Sequence, residues 1–188
     1  LVDNSPEVFL RRPISINNVD YDKNEIWLLI QRVGEGTRKI CKLKPGETVN
    51  LIYPLGNSFT IPQTEGNYLL LGGRSTSDIL QQSDFEKYGN LFCTTEDGSF
   101  GEKGFVTDHS ILTSKKYDYI FTCGPKPMMV AVAKYARISG IECEVSLENL
   151  MACGFGACLC CTEKTVRGNV CSCTEGPVFN IKELTWQD

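Results

Sequence analysis

Six of the chain's ten cysteines lie between Cys153 and Cys173. They form two groups, Cys153-Gly154-Phe155-Gly156-Ala157-Cys158-Leu159-Cys160-Cys161 and Cys171-Ser172-Cys173, with residues 162–170 between them. Thiols packed this densely either cross-link or share a metal. Disulfide stapling serves small secreted domains that cannot build a core, whereas 188 residues with 41% hydrophobic content can bury one. Reduced thiols in a cytoplasm are therefore expected.

As ligands, Cys153, Cys158 and Cys161 have the C-x4-C-x2-C spacing of plant-type [2Fe–2S] sites, to which Cys171 or Cys173 adds a fourth thiolate. Two irons bridged by sulfide need four soft anionic ligands in a small volume, and a tight loop presents them. Gly154 and Gly156 let that loop curl closely and aim N–H groups at sulfur. The alternative is a structural zinc site built from Cys158, Cys161, Cys171 and Cys173. Zinc leaves Cys153 and the glycine pattern unused.

The net charge of −4 argues against nucleic acid as a partner. No apolar run approaches the ~18 residues of a membrane span, and no signal-peptide pattern opens the chain, so a cytoplasmic location is expected. The sequence begins at Leu1 rather than methionine, so a fragment lacking its true N-terminus is expected.

The first third reads as β structure. Residues 25–32 alternate with Ile26, Leu28 and Ile30 on one side, and residues 48–53 alternate with Val49 and Leu51. Residues 11–16 form a third apolar stretch, interrupted by Arg12, Pro13 and Ser15. The guanidinium of Arg12, the hydroxyls of Ser15 and Thr37, and Gly36 suit a diphosphate. Further on the period changes. Strands are expected over residues 67–71, 90–94 and 117–122, and a helix capped by Ser77 or Asp78 over residues 77–88. A second helix begins near Pro127, repeats apolar residues at Met128, Val132 and Tyr135, and ends at Gly140; Met128 and Met129 are expected in the core. Cys123-Gly124-Pro125 falls at the carboxyl end of a strand, where open α/β sheets bind ligands. His109 reads as a helix start, and no residue is assigned a catalytic role.

Taken together, these residues resemble a known family. Arg12-Pro13-Ile14-Ser15, Gly34-Glu35-Gly36-Thr37, Glu148-Asn149-Leu150-Met151-Ala152-Cys153-Gly154-Phe155-Gly156-Ala157-Cys158 and Cys173-Thr174-Glu175-Gly176-Pro177-Val178-Phe179 look like the electron-transfer subunit of NAD-dependent bacterial dihydroorotate dehydrogenase, within the ferredoxin reductase superfamily. The resemblance covers nearly the whole chain. It implies an α+β and α/β multidomain fold: a partial antiparallel flavin-binding β-barrel over residues 1–64, an incomplete nucleotide-binding α/β layer over 65–142, and a small [2Fe–2S] domain over 143–188. It implies Cys153, Cys158, Cys161 and Cys173 as cluster ligands, with Cys160 and Cys171 left out. FAD contacts map to Arg12, Pro13, Ile14, Ser15, Ile30, Gln31, Arg32, Gly36 and Thr37; Gln31 stands where the family often has an aromatic residue.

The implied activity is a relay in pyrimidine biosynthesis. An FMN-containing catalytic subunit oxidises dihydroorotate, and electrons pass through the cluster and FAD to NAD, in a heterotetramer of two of each subunit. Two departures bear on this. The family's first barrel strands precede the position of Leu1. Leu69-Leu70-Leu71-Gly72-Gly73 runs straight into Arg74-Ser75-Thr76-Ser77-Asp78, where the family has a glycine-rich loop, a helix and a strand between them. A parallel crossover takes a dozen or more residues, so Gly72-Gly73 is too short to make that connection. Residues are absent there, or the numbering closes over an omitted stretch, and the NAD contact is the element that this leaves least supported. Two other readings are a flavin and iron–sulfur subunit of a ferredoxin:NADP or sulfide-type oxidoreductase, and a cluster module without nicotinamide activity.

Overall fold

The computed structural model describes Val8, residues 10–63 and residues 66–186. The expected domain boundary at residues 64 and 65 and the start at Leu1 lie outside the described residues. Strands β1 (Ile16–Asp20) and β2 (Glu25–Leu28) precede helix α1 (Glu35–Ile40). Then come β3 (Tyr68–Gly73), α2 (Gln82–Phe85), β4 (Asn90–Thr95), β5 (Glu102–Lys103) and α3 (Ile111–Ser114). They are followed by β6 (Tyr119–Cys123), α4 (Lys126–Ser139), β7 (Glu142–Ser146), β8 (Thr162–Thr165), β9 (Gly168–Cys171) and β10 (Val178–Asn180). The chain groups into two compact units, one holding residues up to Asn57 with Asn149–Lys164 and Gly168–Pro177, the other the remainder.

In the first unit, β1 and β2 pair antiparallel from Asp20↔Glu25 to Ile16↔Leu28. The reversal between them is held by Lys23 N donating to the Asp20 carboxylate at 3.0 Å. Two expected strands are corrected here. The strand expected over residues 11–16 begins only at Ile16, because Pro13 has no N–H to give to a ladder. Residues 48–53 form no strand. Alternation supplies an apolar face but not a ladder, and here the Arg11 guanidinium donates to the Asn50 carbonyl at 3.0 Å. Val49, Leu51, Ile52 and Tyr53 are exposed, and the barrel is not closed among the described residues.

The second unit carries two three-stranded sheets, β3-β4-β5 and β10-β7-β6. β3 runs parallel to β4, β4 to β5 and β6 to β7, while β10 closes antiparallel on β7. Residues 74–89 carry the chain from β3 into the parallel β4. The single helix expected over residues 77–88 is corrected. Asp78 turns its carboxylate back to accept from Arg74 N at 3.0 Å instead of capping forward. Ile79 is extended and buried, so only a 3-10 turn (Thr76–Asp78) and the short α2 form.

Helix α4 matches its sequence signals closely. Pro127 lies in its first turn, and Gly140 at φ 67° ends it, with Ile141 N reaching back to Ala136 O at 2.9 Å. Its most buried stripe is Met129, Ala133 and Ala136, one position on from the expected one; the two alanines let the helix lie close on β7, and Met128 is only half-buried. Cys143 and Val145 of β7 and Phe179 of β10 complete this core. Phe179 is 2% exposed and sits opposite Val145. Phe179→Ala is expected to cost about 3–5 kcal/mol by leaving a cavity, read as a lower denaturant midpoint with unchanged slope. Among the described residues, no helix is long and apolar enough to cross a membrane.

Candidate iron–sulfur centre and flavin contacts

The cysteine loop folds around its own amides. Gly154 and Gly156 take φ of 82° and 83°, which an L side chain rarely adopts, and a Cβ on Gly154 would come within 3.0 Å of Leu55. This curl aims Phe155 N at Cys153 Sγ, 3.5 Å away. That N–H, with those of Cys158 and Ala157, holds the Cys153 thiol down to about 6. Its side chain also hydrogen-bonds with that of Cys158. The second arm brings Cys173 to Cys161. Cys173 N donates to Cys161 Sγ at 3.4 Å and their thiols are hydrogen-bonded, while burial pushes the Cys173 thiol up to about 11. Cys161 and Cys173 are buried, Cys153 is partly so, and Cys158 and Cys160 are exposed.

Cys153 therefore stands beside Cys158, and Cys161 beside Cys173, with Cys171 also against Cys161. Two irons that each take two thiolates ask for that donor set. A mononuclear tetrahedral zinc takes four donors on one centre and leaves Cys153 and the left-handed Gly154 and Gly156 unused.

A residue given no role from sequence ties the two arms together. Asn149 Nδ2 faces the Cys161 carbonyl at 3.3 Å, Glu163 Oε2 at 3.1 Å and Ser172 Oγ at 3.1 Å, and Ser172 N donates to the Cys161 carbonyl at 3.1 Å. Asn57 adds a second tie, donating through its backbone N to Gly176 O at 2.7 Å and through its side chain to Glu175 O at 3.0 Å.

Of the residues expected to hold a flavin, Arg12 and Gly36 are brought together. A Cβ on Gly36 would lie 2.6 Å from Arg12 Nε, so the bare glycine gives the guanidinium its close approach. Arg12 Nη1 donates to Leu10 O at 2.9 Å and Arg11 O at 3.3 Å, which commits one of its nitrogens and fixes the fork. Thr37 is used locally: its hydroxyl accepts from Gly34 N at 3.1 Å and donates to Gly34 O at 3.0 Å, securing the start of α1. The Ile16↔Leu28 register puts Pro13, Ile14 and Ser15 at the same end of the hairpin as Ile30, Gln31 and Arg32. Ser15, Gln31 and Arg32 are exposed there, and Ile14 and Ile30 are partly buried.

Comparison with known proteins places this geometry in a family. The chain is 38% identical over 206 residues to the electron transfer subunit of dihydroorotate dehydrogenase B (NAD(+)) of Clostridium acetobutylicum, covering 97% of this chain and 82% of that one. It belongs to the dihydroorotate dehydrogenase B electron transfer subunits. The corresponding subunits of Shouchella clausii and Clostridium perfringens are 32% and 34% identical, with 83% of each covered. Within this family, the iron–sulfur cluster binding domain of dihydroorotate dehydrogenase B matches residues 148–185, the stretch that holds both thiol pairs and Asn149. The aligned 206 residues exceed 97% of a 188-residue chain, so the Clostridium acetobutylicum subunit carries residues without a counterpart here. Among solved structures, an NADH-dependent reduced ferredoxin-NADP oxidoreductase superposes with a TM-score of 0.80 at 26% identity, over 93% of this chain and 74% of that one.

Proposed function

We propose that this chain is the electron-transfer subunit of an NAD-dependent dihydroorotate dehydrogenase complex in pyrimidine biosynthesis. The observation that carries the reading is the pair of thiol pairs on an amide-lined loop, in a chain whose relatives are named for that role. When bound, a [2Fe–2S] cluster and FAD supply single-electron and hydride transfer between a partner's substrate site and NAD. Cys153, Cys158, Cys161 and Cys173 hold the cluster. The amides of Phe155 and Cys173, aimed at sulfur, stabilise added negative charge on reduction. Arg12, Pro13, Ile14, Ser15, Ile30, Gln31, Arg32, Gly36 and Thr37 form the flavin contact, with Arg12 on the diphosphate. The domains run over residues 1–64, 65–142 and 143–188, with residues missing after Gly73, and Cys123-Gly124-Pro125 lies at the carboxyl end of β6, where open α/β sheets bind ligands.

The partner is an FMN-containing catalytic subunit, two of each per complex. Leu150, Phe155 and Leu159 are 79%, 65% and 65% exposed on the cluster segment, apolar side chains suited to docking that excludes water from the electron path. A visible spectrum of the purified, reconstituted chain tests the reading. Flavin bands beside the broad iron–sulfur absorption support the relay, the cluster alone supports a module, and a colourless zinc protein defeats both. The resemblance in fold to the NADH-dependent reduced ferredoxin-NADP oxidoreductase favours a ferredoxin:NADP oxidoreductase subunit as the second reading, and reduction by dihydroorotate through a partner separates the two.

Arg12→Ala removes a charge-assisted contact worth roughly 1.5–3 kcal/mol, weakening FAD binding about tenfold to a hundredfold. Ser15→Ala costs less, because a neutral hydroxyl is lost. Equal FAD retention by Arg12→Ala and the parent after dialysis at matched concentration removes Arg12 from the site.

A further inference from the structure

The cluster nest holds one more thiol than four ligands require. Cys171 ends β9, and its carbonyl accepts from Thr174 N at 3.0 Å and Glu175 N at 2.9 Å, a tight turn that curls Cys173 back beside it. The two cysteines then meet the same three residues. Cys171 Sγ lies 3.9 Å from Gly156 O, and its thiol is hydrogen-bonded to that of Cys161 and within electrostatic reach of Cys153. Cys173 receives the Gly156 N–H, bonds to the Cys161 thiol, and is likewise within reach of Cys153. Ser172, between them, is fully buried and fixed by Asn149 and the Cys161 carbonyl, so the turn that carries both thiols is anchored at its middle.

We propose that Cys171 is a reserve ligand of the [2Fe–2S] site, able to replace Cys173 on the iron it shares with Cys161. The inference rests on the cluster reading above and adds a residue to it. The exchange involves no redox step: the Cys171 S–H bond breaks as an iron–sulfur bond forms, and the departing Cys173 thiolate takes up the proton. Loss of Cys173 to an oxidant or alkylating agent then leaves a four-thiolate site. Cys158 has no such understudy. Cys160 follows Leu159, whose φ of 57° turns the backbone, and is exposed.

The experiment compares Cys171→Ala, Cys173→Ala, the double variant and Cys158→Ala in the full chain, reconstituted anaerobically with ferrous iron and sulfide. Alanine is used because a serine oxygen can itself bind iron. Iron and sulfide per chain and visible circular dichroism are read, with far-UV dichroism reporting folding. Cys171→Ala is expected to match the parent, and Cys173→Ala to keep most of its iron with a shifted visible spectrum. The double variant and Cys158→Ala are expected to lose iron about tenfold or more. A folded Cys173→Ala as empty as the double variant overturns the reserve role while leaving the cluster reading intact; a parent that takes up no iron overturns both. If Cys173→Ala does not fold, Cys171→Ala decides: a reserve thiol recaptures a loosening cluster, so the variant releases iron to a chelator several-fold faster than the parent, and equal rates overturn the role.

Discussion

Cys158→Ala is expected to leave the chain with background iron and sulfide, while Cys160→Ser retains the parent's content. The contrast follows from geometry. Cys158 is hydrogen-bonded to Cys153 and completes one of the two thiol pairs, so its loss leaves one iron with a single protein ligand. Cys160 lies past the left-handed turn at Leu159 and faces solvent. Because Cys158 is itself exposed, removing its sulfur opens no buried cavity, and far-UV dichroism is expected to be unchanged. Iron loss is then a ligand effect and not unfolding. Comparable iron in both variants would mean that the pairing of Cys153 with Cys158 does not hold the cluster.

The legible parts of the sequence were those whose information is local. Helix α4 carries its own start at Pro127 and its stop at Gly140, and it forms between them with its buried stripe one position on from the expected one. The cysteine spacing is legible because the chemistry needs particular atoms at particular separations in one loop. Residues 48–53 show the limit. Their alternation is real, but a strand exists only when another backbone pairs with it, and sequence does not show that partner's absence. Residues 77–88 fail differently: Asp78, a good cap by type, spends its carboxylate on Arg74, and burial of Ile79 pulls the backbone out of helix. Asn149 gives no local signal, because its acceptors on Cys161, Glu163 and Ser172 arrive from distant positions. Arg12 and Gly36 lie between these cases. Each is weak alone, and their proximity across β1 and β2 is the finding that joins them.

Dihydroorotate is expected to leave the flavin of this chain oxidised unless the FMN-containing catalytic subunit is present. Abstracting a proton from the substrate while hydride leaves needs a positioned base, and the described residues offer no convincing one. His109, the only histidine, is 5% exposed; its Nδ1 accepts from Ile111 N at 3.0 Å and its ring packs edge-on against Phe92, so it serves the start of α3. On the proposed ligand set, Cys153, Cys158, Cys161 and Cys173 hold the cluster and are not free to act as bases. With the partner added under anaerobic conditions, flavin absorbance is expected to bleach, and in Cys158→Ala with its FAD retained that bleaching is lost, because the path through the cluster is cut. Replacing exposed Phe155 by aspartate tests the contact separately: cluster content stays, while half-maximal bleaching requires more partner, since a charge now sits in an apolar interface. Bleaching by dihydroorotate without the partner would refute the relay. Bleaching with the partner in an iron-free Cys158→Ala chain would show that electrons reach FAD by a route that bypasses the cluster.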